Sequence, residues 1–264
     1  MLEWSALAHA GAVMAALAFG GWLWSLPRRD VSGVDSLWGL FFLLGALAYA
    51  WRAGASSPRA LLVLALLAVW ALRLTTHLTL RNHGQPEDRR YQAIRRRNEP
   101  GFQWKSLYLV YLLQAMLAAV IALPVLAALG GRAPLGAWDA AAVVVWTIGF
   151  LFEAVGDRQL ARFRADPAQR GRVLDTGLWR YTRHPNYFGE ATLWWGLFLF
   201  AAAVGAWWSL PGPLLLTWLL LRVSGVALLE QDIGERRPAY RDYVARTSAF
   251  LPWPPRPLAA EHRS

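Results

Sequence analysis

The chain has 264 residues, of which 56% are hydrophobic and 17% charged, and its mean hydropathy is +0.28. A soluble domain carries about a quarter charged residues, so the polar deficit excludes an ordinary water-soluble enzyme. With no Cys, disulfides, thiolate chemistry and cysteine metal sites are excluded as well. The net charge of +10 sits in the segments between apolar runs, which favours anionic headgroups or a phosphate-bearing ligand over nucleic acid.

In chain order, seven apolar stretches come near the roughly 20 residues that cross a bilayer: about 4–26, 34–51, 60–80, 106–129, 137–157, 188–208 and 212–230. Without water in the bilayer core, helices that satisfy their own backbone are the expected form for such runs. The first run lacks a basic leading segment and ends in Leu26-Pro27-Arg28-Arg29, which reads as a stop-transfer pattern rather than a cleavable signal. The last two runs are separated only by residues 207–213 and predict a tight helical hairpin. With the N-terminus outside, the inner segments hold 22 Arg and Lys against 3 in the outer loops, which places the C-terminus in the cytosol. The expected fold is therefore an all-α integral membrane protein of seven helices. It has one domain, with helices 1–4 (about 1–130) and helices 5–7 with their cytosolic loops (about 131–264).

Ionisable groups inside spans are costly and usually functional, and here they recur at helical spacing near the inner ends. Arg73, His77 and Arg81 share a face of the third helix. Glu153 and Asp157 do so on the fifth, Asn186 and Glu190 on the sixth, and Arg222 and Glu230 flank the inner part of the seventh. One account is that they neutralise one another as buried pairs and fix packing; the other is a ligand site. The stretch 177–190, GLWRYTRHPNYFGE, is the most informative. Arg180, Arg183 and His184 precede Pro185, a residue suited to the first turn of a helix, so a positive helix end would face the cytosol beside cations, an arrangement suited to phosphate. Gly189 permits close approach of a ligand or a neighbouring helix. The basic segment 87–100 reads either as an amphipathic helix on anionic lipid or as an ordering element of the site. Carboxylates and histidines are too scattered for a metal, so none is expected.

Segment 183–190, RHPNYFGE, resembles the signature of the membrane steroid 5α-reductase superfamily, especially its bacterial members. Similarity extends to residues 73–81 (RLTTHLTLR), 87–91 (EDRRY), 152–164 (FEAVGDRQLARFR) and 239–253 (AYRDYVARTSAFLPW). The resemblance implies NADPH held by the last three helices and hydride transfer to an α,β-unsaturated ketone, a 3-oxo-Δ4 steroid in the type activity, which reaches the site from the bilayer. It implies a location in the bacterial inner membrane with the cofactor on the cytosolic side. Cofactor residues carried over are Glu153, Asp157, Arg164, Arg172, Tyr181, Arg183, His184, Asn186, Tyr187, Glu190, Arg222, Tyr240 and Tyr243, with Glu230 and Asp232 standing where the family has a His. Asp35, His77 and Glu190 are the catalytic candidates. The family's carbonyl-polarising Glu on the second helix corresponds to Asp35, while Leu78 stands where a Tyr is expected on the third, leaving His77 or Tyr49 as substitutes. A related RHP-x-Y-x-G element occurs in membrane methyltransferases that use S-adenosylmethionine, and this is the alternative reading. A lipid-binding protein without catalysis is a third.

Overall fold

The computed structural model describes residues 3–223 and 239–257, and among them every regular element is helical. Five helices are long and apolar enough to cross a membrane: α1 (Trp4–Ser25), α2 (Gly33–Ala53), α3 (Pro58–Asn82), α5 (Phe102–Ile121) and α7 (Ala137–Ala165). The chain is accordingly a membrane protein. The expected spans 188–208 and 212–230 correspond to α8 (Pro185–Ala202) and α9 (Pro211–Trp218). The latter runs on into a wider π turn, Leu219–Val223, and the rest of the expected span lies outside the described residues. Shorter elements are α4 (Arg89–Asn98), α6 (Leu123–Leu129) and α10 (Ala239–Arg246).

Local chemistry sets these boundaries. Ser57 caps α3, its side-chain oxygen accepting from the Ala60 N–H at 3.2 Å, and Pro58 opens the first turn, where a missing N–H costs nothing. Gly54, with φ 62°, closes α2 in the left-handed region. The fourth expected span, 106–129, is divided. α5 contains a π turn at Leu107–Leu112 and stops at Ile121, because Pro124 cannot continue the ladder and instead opens α6.

The chain forms two compact units. In the first, residues 1–139 with 200–212, α1 sits against α2, and α2 against α3. Ala6, Ala10, Met14 and Ala18 recur every four residues on the buried face of α1, and Met14 lies against Gly45 of α2. The outward faces are as apolar as the core: Leu61, Val69, Leu72 and Leu80 are all more than half exposed, as expected of a surface facing lipid rather than water. One ion pair is wholly buried here. Arg59 Nε donates to Asp139 at 2.6 Å, and the guanidinium also serves the carbonyls of Ala133 and Pro134 at 2.9 Å each. Such satisfaction is what a buried charge requires.

The second unit, residues 140–199 and 213–264, is built on backbone contact between α7 and α8. A Cβ on Gly149 would lie 2.3 Å from the Leu193 nitrogen, one on Gly189 2.3 Å from the Glu153 nitrogen, and one on Gly196 2.6 Å from the Trp146 nitrogen. Small residues let helices in a bilayer come this close. Gly189 therefore serves the neighbouring helix, not a ligand.

Candidate functional site

In the second unit, the close helix pair carries Glu153 and Asp157 into the interior, 2% and 7% exposed. Gly156 lies against the start of α8, where an added Cβ would be 3.1 Å from Pro185 Cγ and 3.2 Å from the Asn186 nitrogen. The first turn of α8 is thus seated beside two buried carboxyls of α7. His184 is buried and stacks on Tyr187, ring centroids 5.5 Å apart and nearly parallel. Glu190 and Tyr187 are half-buried. The side-chain oxygen of Asn186 is buried and has no hydrogen-bond partner among the described residues.

Segment 177–188 is fixed from below and above. Gln159 accepts from the Leu178 N–H at 3.1 Å, and the Trp179 indole donates to the Gly156 carbonyl at 3.1 Å. From the other side, the C-terminal segment folds over it: the Arg183 N–H donates to the Ser248 carbonyl at 2.9 Å, the Trp253 N–H to the Tyr181 carbonyl at 2.9 Å, and the Thr182 hydroxyl to the Phe250 carbonyl at 2.9 Å. Tyr243, buried, donates its hydroxyl to the Trp179 carbonyl. Three of the segments that carry the resemblance, 152–164, 183–190 and 239–253, are therefore one hydrogen-bonded body.

This arrangement changes the reading of two residues. Arg183 was expected to meet phosphate; it is 8% exposed and donates to the carbonyls of Val244 at 3.1 Å and Thr247 at 2.5 Å, satisfying the open end of α10. Tyr243 likewise ties backbone to backbone. Tyr240 is buried against it, with centroids 5.4 Å apart. By contrast Arg164, Arg172, Tyr181 and Arg222 are exposed, and Glu230 and Asp232 lie outside the described residues.

Beside Arg183 opens a cavity of about 470 Å³, with Arg246, Arg256, Ser248 and Trp253 among its walls. Arg246 pairs with Asp175 through one terminal nitrogen, while its Nε is buried without a partner. Neither Arg246 nor Arg256 stands out in the sequence, because both belong to a tail whose course back over 177–188 has no local signal.

A second polar cluster lies in the first unit, around Asp35 in the first turn of α2. One carboxylate oxygen accepts the Tyr91 hydroxyl at 2.5 Å and the other accepts from Arg90 at 2.6 Å; Arg81 stands 3.9 Å away. Gln114 donates to the Tyr91 oxygen at 3.0 Å. Burial, joined by the Asp35 charge, pushes the Tyr91 hydroxyl well above its ordinary value of 10.0. For Arg90, burial works against the charged form, but Asp35 and Asp88 outweigh it and hold the guanidinium protonated. Asp88 is held below the usual carboxylate value: burial opposes ionisation, yet the hydrogen bonds and charge of Arg90 prevail.

A tyrosine hydroxyl does meet Asp35, and it comes from α4. Tyr49 does not supply it. It lies at the far end of α2, about 20 Å along the axis from Asp35, where its oxygen accepts from the Glu3 N–H at 3.2 Å. His77 is half-buried on α3, one turn before Arg81. The sequence signal for Tyr91 was its place in EDRRY; what was missing was the α4 helix that turns it toward α2. Among the described residues no group of three His, Asp or Glu could hold a metal.

No solved structure matches the chain. An uncharacterized protein of Schizosaccharomyces pombe, C594.04c, is 27% identical over 275 residues, covering 91% of this chain and 78% of its own length. Residues 21–247 match a family described as "Protein of unknown function (DUF1295)", spanning both polar clusters, and the chain belongs to that family.

Proposed function

We propose that the chain is an NADPH-dependent membrane reductase of the steroid 5α-reductase superfamily, reducing the C=C bond of a lipophilic α,β-unsaturated ketone such as a 3-oxo-Δ4 steroid. In this reading it has seven spans with the N-terminus outside, and the cofactor binds from the cytosolic face of the inner membrane. The observation that carries the reading is the body formed by 152–164, 177–190 and 239–253, in which buried carboxyls of α7 meet the Pro185-Asn186 start of α8. The residues suit a dinucleotide. A partnerless buried acceptor, Asn186 Oδ1, and a partnerless buried donor, Arg246 Nε, would each gain a hydrogen bond that an unsatisfied buried group lacks. The arginine-lined cavity of about 470 Å³ is of ligand-binding size. Glu153, Asp157, Asn186 and Glu190 would hold the uncharged parts, and Arg164, Arg172, Arg246 and Arg256 the phosphates.

When bound, NADPH supplies a hydride to the β-carbon of the enone. The chain's own task is to polarise the ketone and exclude water. A hydrogen-bond donor at the ketone oxygen would stabilise the enolate charge that develops there. The α-carbon takes a proton from solvent once the hydride has moved, which completes the saturated ketone.

Purified protein given NADPH and a 3-oxo-Δ4 steroid should consume the two in equal amounts and yield the saturated ketone. The Glu190→Gln variant should insert into membranes normally and show no turnover. Wild-type rates in that variant would remove Glu190 from the site, and no NADPH consumption across a panel of lipophilic enones would overturn the reductase assignment.

A further inference from the structure

We propose that the outward face of α4 is a binding site for anionic phospholipid headgroups. α4 joins two membrane-crossing helices, following α3 after six residues and preceding α5 after three. Links this short reach at most about 3.3–3.6 Å per residue, so α4 stays at the level where those two spans end. Its arginines divide into two sets. Those turned toward the unit are consumed by acids: Arg90 by Asp35 at 2.6 Å and Asp88 at 3.0 Å, and Arg95 by Glu87 through two bonds of 2.9 and 2.7 Å.

Arg89, Arg96 and Arg97 form the other set. They stand at i, i+7 and i+8, which is one face of a helix, and all three are exposed. Among the described residues no carboxylate pairs with any of them, although Glu87, Asp88 and Glu99 lie in the same stretch of chain. Arg89 and Arg96 are about 10 Å apart along the axis, spaced for separate phosphates rather than one. The adjoining first turns of α5 expose Trp104 and Tyr108, 66% and 56%, four residues apart on one face. Aromatic side chains of this kind mark the headgroup level of a bilayer. A row of unpaired guanidinium groups at that level, beside such a belt, fits the negative charge of phospholipid phosphate.

The test uses the full chain purified in detergent, titrated with phosphatidylglycerol or phosphatidylcholine of equal acyl composition, with retained lipid counted by native mass spectrometry. The wild type should prefer phosphatidylglycerol by at least about ten-fold, and the preference should shrink as salt is raised. The triple variant Arg89→Gln, Arg96→Gln, Arg97→Gln should lose most of that preference while keeping its melting temperature in phosphatidylcholine and its stabilisation by NADPH. Lysine at the same three positions should restore it, since charge is what the headgroup reads. Undiminished preference in the glutamine variant would overturn the proposal. So would failure of the lysine variant to restore it, or loss of NADPH stabilisation with lipid retention unchanged, which would assign the arginines to the cofactor.

Discussion

Tyr91 shows how one side chain can be specified by three others. Asp35 accepts its proton, Gln114 donates to its oxygen, and Arg90 neutralises the carboxylate. Tyr91→Phe removes both of these hydrogen bonds and should lower the melting temperature by a few degrees, since groups left unsatisfied in this way cost about 1–3 kcal/mol. An unchanged melting temperature would mean that the cluster does not hold α4 against α2. Its titration has a definite sign. The folded value is raised above 10.0, so the neutral form's contribution to stability is complete below pH 10 and is lost as the pH rises through the higher folded value. Stability should therefore show no basic loss from Tyr91 below about pH 10; a loss near pH 8 that disappears in Tyr91→Phe would contradict the raised value.

At the scale of elements, the contact between α7 and α8 decides whether the proposed cofactor site exists. Gly189→Ala places a methyl group 2.3 Å from the Glu153 nitrogen, which neither backbone can yield without separating the helices. Overpacking of this kind costs about 1–3 kcal/mol, or a fall in melting temperature of about 3 °C or more for a chain this long. Gly20→Ala on α1, where nothing lies within 4 Å, is the control and should change little. Equal melting temperatures for the two variants would refute the packing account. The helices themselves were legible in the sequence, since apolar runs of bilayer length admit one structure: the expected 34–51 and 60–80 became Gly33–Ala53 and Pro58–Asn82. The division of 106–129 was marked only by Pro124. What the sequence could not show was tertiary destination. Arg183 reads as a cytosolic cation, and only the return of residues 239–253 turns it into the cap of α10. Tyr91 reads as part of a basic surface segment, and only the packing of α4 brings it to Asp35.

Over the whole molecule, the asymmetry of basic residues predicts which ends face the cytosol. A chain without cysteine allows this to be read with single replacements labelled by an impermeant thiol reagent. Ala168→Cys, in the Arg-rich loop after α7, should be protected in intact cells and labelled after lysis. Ala133→Cys, in the short loop before α7, should be labelled in intact cells. The reverse pattern would invert the proposed topology and move the cofactor site to the wrong compartment. Glu153 and Asp157 are buried carboxyls on a membrane-crossing helix, a placement that in a membrane protein points to a functional site.

Whether the body around α8 binds NADPH is read by a thermal-shift comparison of NADPH, NADH and S-adenosylmethionine on the detergent-purified chain. A ligand held only by the folded state raises the melting temperature by mass action. NADPH should raise it most, NADH less for want of the additional phosphate, and S-adenosylmethionine not at all. A shift with S-adenosylmethionine alone would contradict the account and make the chain a membrane methyltransferase.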